Sequence, residues 1–190
     1  VLKGFSFLEK YPYPDSRTFA DIDLQVEEKD AETVHLCLIK LGYQVRNGNK
    51  IIEPEIALNE RLNFYHFYPY VKDLCRIELH KDFDYLEDVD VNKMIDSCVP
   101  LDIDASCSLK QYSPMDSIIY SCMHYIRHGY DLKGIFTHRL SLKNLLDVCL
   151  LLKSYISNGG TCKELLQRTI EVNALKWVYH VLLRVQILLP

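Results

Sequence analysis

Asp21-Ile22-Asp23-Leu24-Gln25-Val26 alternates polar and apolar residues at the two-residue period of a β-strand. A strand sends residues i and i+2 to the same face, so Asp21 and Asp23 project together. Downstream, Asp30 is suited to cap a helix, Val34, Cys37, Leu38 and Leu41 fall on one helical face, and Gly42 supplies a stop. This predicts a helix over residues 31–41. Residues 43–46, 63–70 and 76–80 read as short strands, and Asn47-Gly48-Asn49 is a turn signal between strands.

The remainder reads as almost wholly helical. Ser113-Pro114-Met115-Asp116 combines a cap, a proline at the first helical position and an early acid, and Ile118, Ile119, Cys122, Met123 and Ile126 follow at helical spacing up to Gly129. Further helices are expected over residues 141–155, closed by Asn158-Gly159-Gly160, from the capping box Thr161-Cys162-Lys163-Glu164, and from about residue 173, with Leu175, Val178, Leu182 and Val185 on its face. The expected fold class is therefore α+β, with a mixed unit over residues 1–104 and a helical region over residues 105–190.

Composition narrows the function classes. With 190 residues, 48% hydrophobic and 25% charged, the chain can bury one good core or two modest ones. Its longest apolar stretches are cut by Lys153 and Arg184, well short of the roughly 20 residues that span a bilayer. It opens Val1-Leu2-Lys3-Gly4 without an initiator Met or a signal pattern, which reads as a piece of a longer protein. Seven cysteines, an odd number with no C-x-x-C pair, argue against a disulfide framework or a zinc ribbon and suggest a reducing cytoplasm. Residues 1–104 carry 12 Lys/Arg against 21 Asp/Glu, whereas residues 105–190 carry 10 against 5. The acidic half reads as a solvated surface or a set of metal-binding carboxylates, the basic half as a phosphate-facing surface or simply the partner of the first. A pI near 6.0 does not fit nonspecific binding to nucleic acid.

The chemistry is sought among the acids. Asp-x-Asp by itself selects nothing, because it recurs at Asp82-Phe83-Asp84, Asp88-Val89-Asp90 and Asp102-Ile103-Asp104. Only the first copy lies in a clear strand pattern, follows a Gly and an Arg at short range, and has a later strand, Arg76-Ile77-Glu78-Leu79-His80, to supply a third acid, Glu78. On these features alone a solvated strand face and a metal site are equally good readings.

The ordered series Leu2-Lys3-Gly4, Tyr11-Pro12, Arg17, Asp21-Ile22-Asp23-Leu24, Leu41-Gly42-Tyr43 and Ile77-Glu78-Leu79-His80 resembles the bacterial uncharacterised nucleotidyltransferase family. Ser113-Pro114-Met115-Asp116, His124, His128, Arg139-Leu140 and Leu145-Leu146-Asp147 are similar to that family's helical part. The resemblance implies a DNA polymerase beta-like core, a short mixed sheet with flanking helices, over residues 1–104. It also brings a likeness to toxin-type nucleotidyltransferases, which share a Lys-Gly motif ahead of Asp-x-Asp. By that resemblance Asp21, Asp23 and Glu78 hold magnesium or manganese, and Lys3, Gly4, Ser6 and Arg17 face the phosphates of a nucleoside triphosphate. The superfamily places a Gly-Ser pair in that phosphate loop; here Gly4 matches, Phe5 stands in the Ser position, and Ser6 follows one residue later. The implied reaction is two-metal transfer of a nucleoside monophosphate to an acceptor hydroxyl on a tRNA, a small molecule or a protein, with pyrophosphate released.

His80 shares a strand face with Glu78 and reads as an acceptor-side base or as a structural hydrogen-bonding group. His124 and His128 stand four apart on a predicted helix, but no glutamate completes a zinc-hydrolase motif, so they read as helix-packing or acceptor-side residues. Tyrosines at 65, 68, 70, 120, 125 and 130 read as base-stacking or packing groups. A metal-dependent glycosyltransferase needs a larger nucleotide-binding domain, and a haloacid-dehalogenase-type phosphatase needs Thr where Gln25 stands. The remaining alternative is a non-catalytic nucleotidyltransferase-like domain that binds a nucleotide or a partner.

Overall fold

The computed structural model describes residues 1, 2, 7, 9–13, 21–63, 68–80, 88–104, 107–130 and 142–188, without the side chains of residues 28, 60–63, 102–104, 107–108, 127–130 and 187–188. Strand β1 (Ile22–Gln25) leads through a short 3-10 turn into helix α1 (Ala31–Lys40), then the hairpin of β2 (Gln44–Asn47) and β3 (Lys50–Ile52). Helix α2 (Pro54–Asn63) precedes β4 (Tyr70–Lys72) and β5 (Cys75–His80). Helix α3 (Val91–Asp96) follows, then a hairpin of β6 (Val99–Asp104) and β7 (Cys107–Gln111). Among the described residues, the order continues with helices α4 (Pro114–Tyr130), α5 (Leu142–Ser157), α6 (Cys162–Glu171) and α7 (Leu175–Leu188). The chain is α+β, as expected.

Five strands form one mixed sheet in the order β1-β5-β4-β2-β3. β1 runs parallel to β5, and the other neighbours are antiparallel. One face of this sheet is apolar: Ile77, Leu79, Val45 and Tyr70 are buried with Leu38 of α1 and Ala57 of α2, and Ile22 and Leu24 pack against them. The second core is helical, and the periodicity of α4 is fulfilled there, since Ile118, Ile119, Cys122, Met123 and Ile126 are all buried. It also draws in Leu2, Phe7, Val89 and Met94, which precede residue 105 in the chain.

Several local expectations are revised. The buried stripe of α1 is Ala31, His35 and Leu38, while Cys37 and Leu41 are exposed. The helix is rotated because His35 Nδ1 meets the hydroxyl of Tyr70 at 2.7 Å inside the core, so a polar residue takes a place that hydropathy alone gives to an apolar one. Of the strand expected over residues 63–70, residues 64–67 lie outside the described residues; Asn63 ends α2 and β4 begins at Tyr70. The stretch after residue 105 is not wholly helical, because Cys107–Gln111 forms strand β7, paired with β6. α4 runs to Tyr130, one residue past Gly129.

Two polar devices fix the helices. At the start of α6, Thr161 Oγ1 accepts from the Glu164 amide while the Glu164 carboxylate accepts from the Thr161 amide, the reciprocal capping box expected from sequence. Deeper in, the buried carboxylate of Asp116 on α4 receives both arms of the Arg168 guanidinium from α6, at 2.8 and 3.0 Å. Ser97 and Ser113 also donate to Asp116 Oδ2, at 2.5 and 2.7 Å, and Arg168 reaches on to the Lys93 carbonyl of α3 at 2.8 Å. α3, α4 and α6 are thus joined through one carboxylate.

Candidate functional site

The face of β1 and β5 opposite the apolar core is polar, and its composition follows from register. Asp23 is paired across the parallel ladder with Glu78, and Gln25 with His80. Residues two apart on one strand share a face, so Asp23, Gln25, Glu78 and His80 stand together while their neighbours Ile22, Leu24, Ile77 and Leu79 turn into the core. Arg76 precedes Glu78 by two residues and lies on the same face.

Asp23 is 1% exposed. Its Oδ1 lies 2.8 Å from His80 Nε2. An ionised carboxylate can only accept, so this bond places the imidazole proton on Nε2. Glu78 is more open and receives Nε and Nη2 of Arg76 on a single oxygen, Oε1, at 3.0 and 2.5 Å. One ligand atom each from Asp23, Glu78 and His80 lie within 4.8 Å of one another. With the His80 Nε2–H given to Asp23, the two carboxylates are the hard oxygen donors of this cluster, and they suit a divalent cation such as magnesium or manganese.

The surroundings tie this face to the helical body. The Leu2 amide donates to the Asp23 carbonyl at 3.0 Å, the Val26 amide extends the ladder to the His80 carbonyl at 3.0 Å, and the Tyr112 hydroxyl donates to Gln25 Oε1. Beside Gln25 opens a cleft of about 300 Å³ whose lining includes Val26, Asp30, Val34, Lys110 and Tyr112.

Of the residues singled out from sequence, the structure brings together Asp23, Glu78 and His80. Asp21 is half-buried one position before β1 and is not part of the three-residue cluster. Lys3, Gly4, Ser6 and Arg17 lie outside the described residues, as does the side chain of His128. His124 lies on α4, where its ring stacks with Tyr120 at 6.1 Å and lines a small pocket with Phe7, Ser121, Asn144 and Asp147. Asp147 there accepts the Tyr11 hydroxyl at 2.6 Å. Among the other Asp-x-Asp copies, Asp88 pairs with Lys176 at 2.6 Å and Asp90 caps α3, so both have structural partners. Asp82 and Asp84, and the side chains of Asp102 and Asp104, lie outside the described residues.

Sequence reasoning passed over Arg76, Gln25 and Tyr112. The signal for the first two was present, since each stands two residues from a chosen carboxylate on a strand. Nothing local pointed to Tyr112, whose contact with Gln25 spans 87 positions of sequence.

No helix among the described residues is long and apolar enough to cross a membrane. A family model described as an uncharacterised nucleotidyltransferase matches residues 1–190. Comparison with curated proteins and with solved structures gives no match.

Proposed function

The chain belongs to the uncharacterised nucleotidyltransferase family, and on that premise we propose that it is a metal-dependent enzyme moving a nucleoside monophosphate from a nucleoside triphosphate to an acceptor hydroxyl, with release of pyrophosphate. The observation that carries this reading is the pairing of Asp23 with Glu78 across a parallel ladder, with His80 beside them on the same face and bonded to Asp23.

Asp23 and Glu78 are the residues that hold magnesium or manganese, with Asp21 joining from the same strand face. Bound there, such an ion lowers the pKa of an attacking hydroxyl and offsets the charge that builds on the leaving pyrophosphate. The buried Asp23 carboxylate is kept in one orientation by His80, which limits the reorganisation needed during reaction. Lys3, Arg17, Ser6 and the amides near Gly4 are assigned to the triphosphate, where charged donors are most effective. His80, with His124 and His128 farther off, is assigned to the acceptor side. The acceptor is a hydroxyl of a tRNA, a small molecule or a protein, and the cleft beside Gln25 offers room for a small one.

A second reading, a non-catalytic nucleotidyltransferase-like domain, draws on the fact that Arg76 and His80 partner the carboxylates of Glu78 and Asp23. Incubation with nucleoside triphosphates labelled at the α or the γ phosphate separates the two readings. Total RNA, protein and small-molecule extract from a bacterium serve as acceptor pools, in magnesium and in EDTA. The expected result is magnesium-dependent incorporation of the α label alone. Incorporation of the γ label, or of neither, contradicts nucleotidyl transfer.

A further inference from the structure

Arg76 is half-exposed, yet its guanidinium does not extend into solvent; Nε and Nη2 both turn onto Oε1 of Glu78, two residues along β5. Glu78 is one of the three groups whose ligand atoms converge beside Asp23. The same carboxylate oxygen cannot be held closely by a guanidinium and serve a divalent cation at full strength, because the two positive charges repel at such short range. From this geometry, and resting on the metal-dependent reading above, we infer that Arg76 is a built-in counter-ion. It holds Glu78 while the cation site is empty and passes to the triphosphate when metal and nucleotide arrive.

The chemistry of the exchange favours that order. With the Arg76 side chain 48% exposed and Glu78 17%, solvent partly screens the pair, so a divalent cation displaces it at modest cost. Once released, the guanidinium stands beside the site with a planar set of N–H donors, whose fork matches the oxygens of a phosphate. Arg76 thereby weakens binding of the metal alone and strengthens binding of metal with nucleotide, which couples the two. It acts through Glu78 in the first state and directly on the donor in the second.

Opposite effects on two affinities provide the test. Mn2+ binding is measured by titration calorimetry on the wild type and on Arg76→Gln, alone and with a non-hydrolysable ATP analogue, and repeated in a Glu78→Gln background. Arg76→Gln is expected to tighten Mn2+ binding in the absence of nucleotide by about fivefold. It is expected to weaken binding of the analogue in the presence of Mn2+ by about tenfold or more. In the Glu78→Gln background the gain in Mn2+ affinity disappears. Arg76→Lys, which keeps the charge and loses the fork, is expected to retain part of the suppression of Mn2+ and little of the nucleotide contact. A purely structural role for Arg76 shifts both affinities in the same direction or neither, and that result overturns the inference while leaving the metal site intact. Equal Mn2+ affinity in the wild type and in Glu78→Gln overturns the metal-dependent reading of Glu78 itself, and the inference with it.

Discussion

Replacing Asp23 with asparagine is expected to lower the proposed nucleotidyl transfer by about 10³-fold, the scale of several kcal/mol that loss of a catalytic cation would represent. The reason lies in the position of this carboxylate. It is buried, it faces Glu78 across the ladder, and its Oδ1 is held by His80. Asparagine is the same size and retains an oxygen for the His80 Nε2–H, so packing and that hydrogen bond survive while the negative charge is lost. Removing one of two neighbouring carboxylate charges also relieves repulsion in the free protein. The melting temperature is therefore expected to stay within a few degrees of the wild type, which separates a catalytic defect from a folding one. Activity within tenfold of wild type takes Asp23 out of the metal site.

The largest effect on stability is expected far from that face. Asp116→Ala leaves the Arg168 guanidinium, only 14% exposed, facing a cavity instead of a bidentate carboxylate, and it removes the carboxylate acceptor of Ser113 and one of three acceptors within reach of Ser97. Breaking a buried ion pair by removing one partner costs about 3–5 kcal/mol, because the remaining charge stays in a poorly solvated place. Asp116 raises the guanidinium's pKa in the wild type, and without it the intrinsic basicity of a guanidinium still keeps the proton, so the arginine cannot escape the penalty by becoming neutral. Urea unfolding of Asp116→Ala reads the loss directly. Replacing both Asp116 and Arg168 with apolar residues of similar volume restores much of it, since no buried charge is then left alone. A loss under about 1 kcal/mol for Asp116→Ala contradicts this account of how α3, α4 and α6 are joined.

Where local pattern and tertiary environment agree, the sequence is readable. The apolar positions of α4, the capping box of α6 and the alternation through Ile22, Asp23 and Leu24 all report structure that forms within a few neighbours. α1 shows the limit: its extent is legible from Asp30 and Gly42, but its buried face is set by the Tyr70 hydroxyl reaching His35 from a strand 35 residues away. α2 offered only Pro54 as a start signal and no strong apolar stripe, so the local pattern assigns no helix there. β6 carries Pro100 and alternating acids, features that disfavour a strand until β7 supplies its ladder.

The site divides in the same way. The i, i+2 logic of strands selects Asp23, Glu78 and His80, because it needs nothing beyond each strand's own period. The register that sets Asp23 opposite Glu78 is a long-range pairing that no local window contains. Nor does any local window reveal that Arg76 turns back onto Glu78, since a half-exposed arginine on a strand has many rotamers open to it.

The most direct test of the central claim is titration calorimetry with each of the four nucleoside triphosphates, in magnesium and in EDTA, on the wild type and on the Asp21→Asn/Asp23→Asn variant. The account predicts binding of at least one triphosphate that requires both magnesium and the two carboxylates. Binding that is indifferent to magnesium and to the substitutions, or no binding of any nucleotide, contradicts it.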